Sequence, residues 1–210
     1  MKNLFKLLAV TALLLLHACT ATPVRDWPAQ EGRVLDAQTG QPIEGAFVVM
    51  RWIGYGGYSQ SQCFHVDVAE TDAQGRFRIP EWHNDQRSAT LVDQRRNIDV
   101  VHKPGYRFAE RTYREQSQKQ GVWYLEVDAS NTEERLKYLS QNSGLASCAE
   151  SGRSKKNLLS LYRSLYGEAK TIAGLATEQK KIVEFLLYDL EIVEFGYEQA
   201  TDRHLERRGY

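Results

Sequence analysis

A β-sandwich of about seven strands, followed by an α-helical segment with a helical hairpin, is the fold class that the 210-residue chain predicts. Two features carry that expectation. Between Glu31 and Asp128, short runs of β-branched and aromatic residues alternate with Gly, Pro and Asp clusters, as strands alternate with tight turns. After Asp128 the texture changes, and apolar residues recur at three- and four-residue steps, the period of an amphipathic helix. The apolar fraction of 42% supplies an ordinary core. Lys+Arg and Asp+Glu both total 27, so the formal net charge is zero. A chain without a basic excess lacks the face that releases counterions from a nucleic-acid backbone, and no nucleic-acid partner is expected.

The N-terminus reads as an address. Residues 1–18 have the parts of an export signal: Lys2 and Lys6, an apolar run from Leu7 to Leu16, and the small Ala18 before Cys19. The run is shorter than the roughly 20 residues of a permanent membrane-spanning helix. Leu16-His17-Ala18-Cys19 resembles the lipobox of bacterial lipoproteins, with His17 standing where a small residue is usual. The resemblance implies that Cys19 carries acyl chains such as palmitate and becomes the mature N-terminus. Thr20 stands in place of the aspartate linked to inner-membrane retention, which implies the periplasmic face of the outer membrane. Each buried acyl CH₂ contributes about 0.8 kcal/mol, so several chains on one residue hold the protein to the membrane. An ordinary cleaved signal that leaves Cys19 as a thiol is the alternative. Residues 19–30, with Pro23 and Pro28, read as a tether.

Residues 31–129 carry the strands. Arg33-Val34-Leu35 is a short one, broken by Asp36 to Gly40, where Asp favours turn entry and Gly tolerates positive φ. Ala46 to Ile53 is long enough and rich enough in β-branched and aromatic residues for a central strand. His65-Val66-Asp67-Val68 and Arg76-Phe77-Arg78-Ile79 alternate at period two, with a turn at Asp72 to Gly75 between them. Ile98 to Val101 and Val122 to Val127 complete the set, the former followed by a turn at Lys103-Pro104-Gly105-Tyr106.

Several of these landmarks recur together in one family. Gly32-Arg33-Val34, Asp36, Thr39-Gly40, Pro42-Ile43, Gly45-Ala46 and Val48 resemble the carboxypeptidase regulatory-like domain. Thr71-Asp72, Gly75-Arg76-Phe77 and Lys103-Pro104-Gly105-Tyr106 match its remaining landmarks. The resemblance covers about half the chain and implies a transthyretin-like (prealbumin-like) sandwich. It implies no activity, since the module is an accessory unit without chemistry of its own.

Residues 130–210 read as helices packed on that sandwich. Asn131 or Thr132 caps the first, Glu133 and Glu134 acidify its first turn, Leu136 and Leu139 give it a short apolar face, and Gly144 is expected to stop it. A second runs through Leu158, Leu161, Leu165 and Ile172. A third starts at a Thr177-Glu178 cap and keeps its period through Leu186 and Leu190 to Tyr197. The short linker 173–176 between the last two predicts an antiparallel hairpin. Their stripes are expected to pack on each other and on one face of the sandwich; alternatively, Phe185, Leu187 and Phe195 leave apolar surface for a partner.

With Cys19 given to lipid, Cys63 and Cys148 remain, and in an oxidising compartment they are expected to pair and to staple tail to sandwich. Two buried thiols are the alternative. No catalytic residue, metal-ligand set or cofactor is expected. The five histidines show no zinc spacing, so the catalytic motif of the carboxypeptidases is absent. His65 with Asp67, and His83-Asn84-Asp85, read as solvated polar surface rather than the start of a metal site. Gly54 to Ser59 lacks the third glycine and the following helix of a phosphate loop. The transthyretin-like hydroxyisourate hydrolases end in Tyr-Arg-Gly-Ser, whereas this chain ends Arg208-Gly209-Tyr210.

The candidate binding loop is the excursion that carries Trp52, Tyr55 and Tyr58 among glycines, serines and glutamines, a composition of recognition loops. Tyrosines folded back on the sheet are the alternative. The expected function is a non-enzymatic, periplasm-facing envelope lipoprotein with a binding or structural role. Its partners are the membrane, through the N-terminal lipid, and a periplasmic protein or an envelope glycan. An immunity protein against a periplasmic toxin, an envelope-polysaccharide binder, and a hydrolase with a site of unfamiliar pattern are the alternatives.

Overall fold

A computed structural model describes residues 26–56, 61–83, 91–109, 121–148 and 155–209, the last with side chains from Leu158. Nine strands are present among them: β1 (Asp26–Trp27), β2 (Gln30–Asp36), β3 (Phe47–Tyr55), β4 (Ser61–Glu70), β5 (Arg76–Ile79), β6 (Trp82–His83), β7 (Val92–His102), β8 (Tyr106–Phe108) and β9 (Val122–Val127). Four helices follow: α1 (Thr132–Ala146), α2 (Lys155–Ile172), α3 (Thr177–Phe195) and α4 (Tyr197–Arg208). The expected cysteine-bearing N-terminus, with Cys19, and the loop residue Tyr58 lie outside the described residues.

Two sheets form the sandwich. One has strand order β5-β2-β9-β8 and the other β4-β3-β7, while β1 and β6 make a small separate pair. All neighbours are antiparallel except β2 and β9, the first long strand and the last, which run parallel from Arg33 opposite Val122 to Asp36 opposite Leu125. Turn chemistry sets the hairpin ends. The Asp36 carboxylate accepts from the backbone N–H groups of Gln38 and Thr39 at 2.9 and 2.8 Å, which holds its pKa below the usual carboxylate range. Asp72 does the same for Gln74 and Arg76, ahead of Gly75 at φ +69. A Cβ on Gly75 would fall 2.5 Å from the Val34 carbonyl, so that turn admits glycine alone.

Strand β3 explains the architecture. Val48, Met50 and Trp52 face the core between the two sheets, with Val34, Phe77, Ile79, Trp123 and Leu125. Val49, on the opposite face, joins Val66, Val68 and Val100 beneath the helices, against Leu136, Leu139, Leu161, Leu165 and Leu186. The near-continuous apolar run from Phe47 to Ile53 therefore belongs to a strand buried on both faces. The protein has three layers: sheet, sheet, helices. The apolar stripes of the helices pack on the sandwich, although Phe185 and Phe195 remain 46% and 40% exposed.

Several expected boundaries shift. The tether does not extend to Gln30, because Asp26–Trp27 is paired with β6 and Trp27 is only 6% exposed. The strand count exceeds seven because β1, β6 and β8 have two or three residues each, too few to show alternation. Tyr106, expected in a turn, opens β8, and its N–H still closes that turn on the Lys103 carbonyl at 2.9 Å. Gly144 does not stop α1. The helix runs to Ala146, and Ser147 closes it by donating its hydroxyl to the Gly144 carbonyl at 2.8 Å. Asn131 caps it, accepting from the Glu134 N–H at 3.0 Å. The third helix has no Thr177 cap; Ala176 holds that position without a side-chain bond. Its period does not reach Tyr197 either, because Gly196 at φ +93 breaks the chain into α3 and α4.

Candidate functional site

The proposed binding loop separates into unlike parts. Trp52 is no surface residue: it is fully buried between the sheets, because on β3 it shares a face with Val48 and Met50. Tyr55, at the end of β3 opposite Ser61, is half-buried; its hydroxyl accepts from the Arg95 guanidinium at 3.0 Å, and that guanidinium lies 5.6 Å from the ring centroid. It has folded onto β7.

His65 sits in an aromatic stack rather than on a solvated face. Its ring lies 4.2 Å from Trp82 at an interplanar angle of 5°, and Trp52 meets it edge-on at 4.7 Å. Asp67 is 4.0 Å from its Nε2, and no group of three metal-ligating side chains occurs among the described residues. His83 is an exposed partner of Asp26 at 2.8 Å, whose hydrogen bond and charge raise its pKa.

Two β-bulges do more to place chemistry than any motif. On β4, Trp52 is opposite His65 but Ile53 is opposite Cys63, so Phe64 is the extra residue. Without it, Cys63 would share the face of His65. With it, Cys63 shares the helix-side face of β3 with Ile53, where Cys148 follows α1. Their sulfurs are 2.03 Å apart, a disulfide between residues separated by 85 positions that joins sandwich to helical layer. On β7, Val49 is opposite Val100 but Met50 is opposite Ile98, so Asp99 is the extra residue. It pairs with Arg51 at 2.7 Å, which satisfies the one cation in the apolar run of β3.

That second bulge lines an open cleft of about 490 Å³ where β7 meets the other sheet. Asn97, Ile98 and Asp99 form one wall, and Gln30 of β2, Phe108 of β8 and Trp123 of β9 contribute the other, with Met50 at the base. Arg96 reaches across the cleft to donate to Gln30 Oε1 at 3.2 Å and to the Pro28 carbonyl, with its guanidinium 5.9 Å from the Trp27 ring. Trp123 is 3% exposed, and its indole N–H has no acceptor among the described residues.

A buried polar clasp joins α1 and α2 to the end of the sandwich. Arg135 of α1, 5% exposed, donates through Nε and Nη2 to both carboxylate oxygens of Glu168 on α2 at 2.9 Å. Its Nη1 donates to Asp128 at 2.8 Å and to the Tyr106 carbonyl at 2.6 Å. Glu168 also accepts from the Gly105 N–H at 3.0 Å, so the turn after β7 is locked to the helices. His102 Nε2 meets the Ser164 hydroxyl at 3.0 Å. Burial, then the charges of Arg135 and Lys103, push His102 down to about 3, so the imidazole is neutral at physiological pH and structural in role. Burial also pulls Asp128 upward, but hydrogen bonds from Ser130 and Arg135 outweigh it and leave its pKa below the usual range.

Sequence reasoning missed the cleft residues Gln30, Arg96, Asp99 and Trp123. The one available signal was Arg51 amid an apolar run, a buried cation that requires an anion from a neighbouring strand.

No protein-family model matches the chain, and no curated protein matches it. Among solved structures it is similar to a 9R-lipoxygenase from Cyanothece PCC8801, at 15% identity and a TM-score of 0.24. The match covers 69% of this chain and 24% of that one, and a likeness so slight carries no argument.

Proposed function

We propose that this protein is a lipid-anchored envelope protein on the periplasmic face of the bacterial outer membrane, with a binding or structural role rather than a catalytic one. In this reading its sandwich is the transthyretin-like module of carboxypeptidase regulatory-like domains. The observation that carries the location is the Cys63–Cys148 bond between sheet and helices. Such bonds persist in oxidising compartments, which the export-type N-terminus independently points to. Binding is favoured over chemistry by the disposition of the polar side chains. His65 is stacked between aromatic rings, His102 is buried and neutral, and an open cleft lies between rigid strands.

A periplasmic protein partner, as for an immunity protein against a toxin, is the second reading. Tyr55 and Arg95 favour it, since they lie together at the hairpin end and are residue types that dominate protein interfaces.

Intact mass of membrane-extracted protein, alkylated with and without prior reduction, tests the proposal. A chain beginning at Cys19 with acyl chains attached, and two thiols that alkylate only after reduction, is the expected result. An unlipidated chain with freely reactive thiols overturns it.

A further inference from the structure

We propose that the contact between Ser143 of α1 and Asp189 of α3 is a proton-operated latch, loosened when the carboxylate is ionised and closed when it takes up a proton. The latch lies within the helical layer and depends on neither the lipid, the compartment nor the binding reading above.

The first support is the place of the carboxylate. Ser143 is fully buried, and its hydroxyl donates to Asp189 Oδ2. The Ser143 carbonyl accepts from the Tyr162 hydroxyl of α2 at 3.1 Å, so one residue of α1 ties three helices together. Leu139 of α1, Leu161 of α2, and Leu186 and Leu190 of α3 belong to the apolar core of the same layer. The half-buried Asp189 therefore sits where helices meet rather than on an open face.

The second is the lack of a countercharge. A carboxylate taken out of water is ordinarily paired with a cation, as Glu168 is with Arg135. No cation among the described residues pairs with Asp189. From α1 it faces the Ser143 hydroxyl, and from α2 the Tyr162 phenol, which burial and then the Asp189 charge keep neutral. The arginines of the neighbouring helices are engaged elsewhere on α3: Arg163 of α2 with Glu194, Arg203 and Arg207 of α4 with Glu191, and Arg208 with Glu184.

The third is the sign of the linkage. Burial raises the Asp189 pKa above the ordinary carboxylate value, and the Ser143 hydrogen bond offsets only part of the rise. The folded protein thus holds this proton more tightly than the unfolded chain. The stabilisation is complete below the unfolded pKa and is lost as pH rises through the folded one. Asp128 and His102 have the opposite sign, so the latch tightens in acid while those two contacts weaken. The Cys63–Cys148 bond already holds the end of α1 to the sandwich. The latch therefore governs the fit of α3 against α1, rather than that of α1 against the sheet.

The test is hydrogen exchange of the oxidised full-length protein, read at the amides of residues 139–146 and 186–190 and corrected for the intrinsic pH dependence of exchange. Native protein is compared with Asp189→Asn, which is close in shape and carries no charge, from neutral pH down into the carboxylate range. The ratio of variant to native protection is expected to fall about threefold or more over that range, as the native carboxyl takes up its proton. Ser143→Ala, which strips the carboxylate of its donor, is expected to lose more protection at neutral pH than in acid. A ¹³C titration of the Asp189 carboxyl gives an independent reading, with a midpoint expected above that of an ordinary aspartate. A ratio that stays constant with pH overturns the proposal. So does a midpoint at or below the ordinary value, or a loss in Ser143→Ala that is equal at both ends of the range.

Discussion

Arg135→Met keeps the length of the side chain and removes its donors, which isolates the contribution of the clasp between helices and sandwich. In the native fold those donors serve Glu168, Asp128 and the Tyr106 carbonyl. The Glu168 and Asp128 side chains are 9% and 3% exposed, so neither carboxylate regains water when the guanidinium is lost. Breaking a buried pair from one side costs about 3–5 kcal/mol, and an orphaned carbonyl adds about 1 kcal/mol. The expected loss at pH 7 is thus about 4–6 kcal/mol, a large share of the stability of a domain this size. Urea unfolding followed by tryptophan fluorescence measures it. The pH dependence supplies a sign check. Asp128 is held below its ordinary pKa in the native protein, so its contribution is present above the unfolded carboxylate pKa and lost as pH falls through the folded one. Without Arg135 the Ser130 hydrogen bonds remain but the lowering is smaller, so the carboxyl takes up its proton at a higher pH than in the native protein. The gap between variant and native protein therefore narrows as pH falls from 7 into the carboxylate range. A loss under about 1 kcal/mol at pH 7, or a loss that stays constant as pH falls through the carboxylate range, refutes the reasoning.

Three further predictions rest on other parts of the fold. A Cβ at Gly32 would lie 2.4 Å from Trp123 Cζ3 and 2.7 Å from both the Gly121 carbonyl and Phe77 Cζ, so Gly32→Ala is expected to cost about 1–3 kcal/mol by overpacking, read as a lower urea midpoint. His102 stays neutral when folded down to about pH 3, while the unfolded chain protonates it near 6.5. Stability therefore falls by about 1.4 kcal/mol per unit as pH drops below that value, and His102→Asn should flatten the slope between pH 6.5 and 5. Replacing both Cys63 and Cys148 by Ala opens a loop of 85 positions, for which chain entropy sets a loss of about 4–5 kcal/mol as an upper value; an unchanged thermal midpoint contradicts a load on the staple.

What the sequence made legible was whatever has a local period. Arg76–Ile79 alternates polar and apolar over the whole strand, Val122–Val127 is rich in β-branched and aromatic residues, and both boundaries agree with the structure. The apolar run on β3 announced a central strand, and Asp36 and Asp72 announced their turns through side chains that bond their own backbone. Non-local placement was not legible. Trp52 reads as the rim of an exposed loop until β3 is known to be covered on both faces. The cleft depends on a bulge at Asp99, and a bulge is defined only by the partner strand it slips against. The Arg135 clasp unites residues from α1, α2 and the turns around Tyr106 and Asp128, none of which shares a motif. Gly196 was visible, but a glycine within an amphipathic pattern reads equally as a tolerated interruption; only its positive φ makes it a break.

The shared core over Val49 and Val100, the disulfide and the Arg135 clasp join sandwich and helices into one cooperative unit. All four tryptophans, Trp27, Trp52, Trp82 and Trp123, lie on strands, whereas far-UV circular dichroism is dominated by α1 to α4. Equilibrium urea unfolding of the oxidised protein by both signals is therefore the most direct measurement. Coincident transitions with one midpoint and one slope are the predicted result. A helical signal that melts while tryptophan fluorescence remains native would contradict the account, because it would show the helices resting on the sandwich without sharing its core.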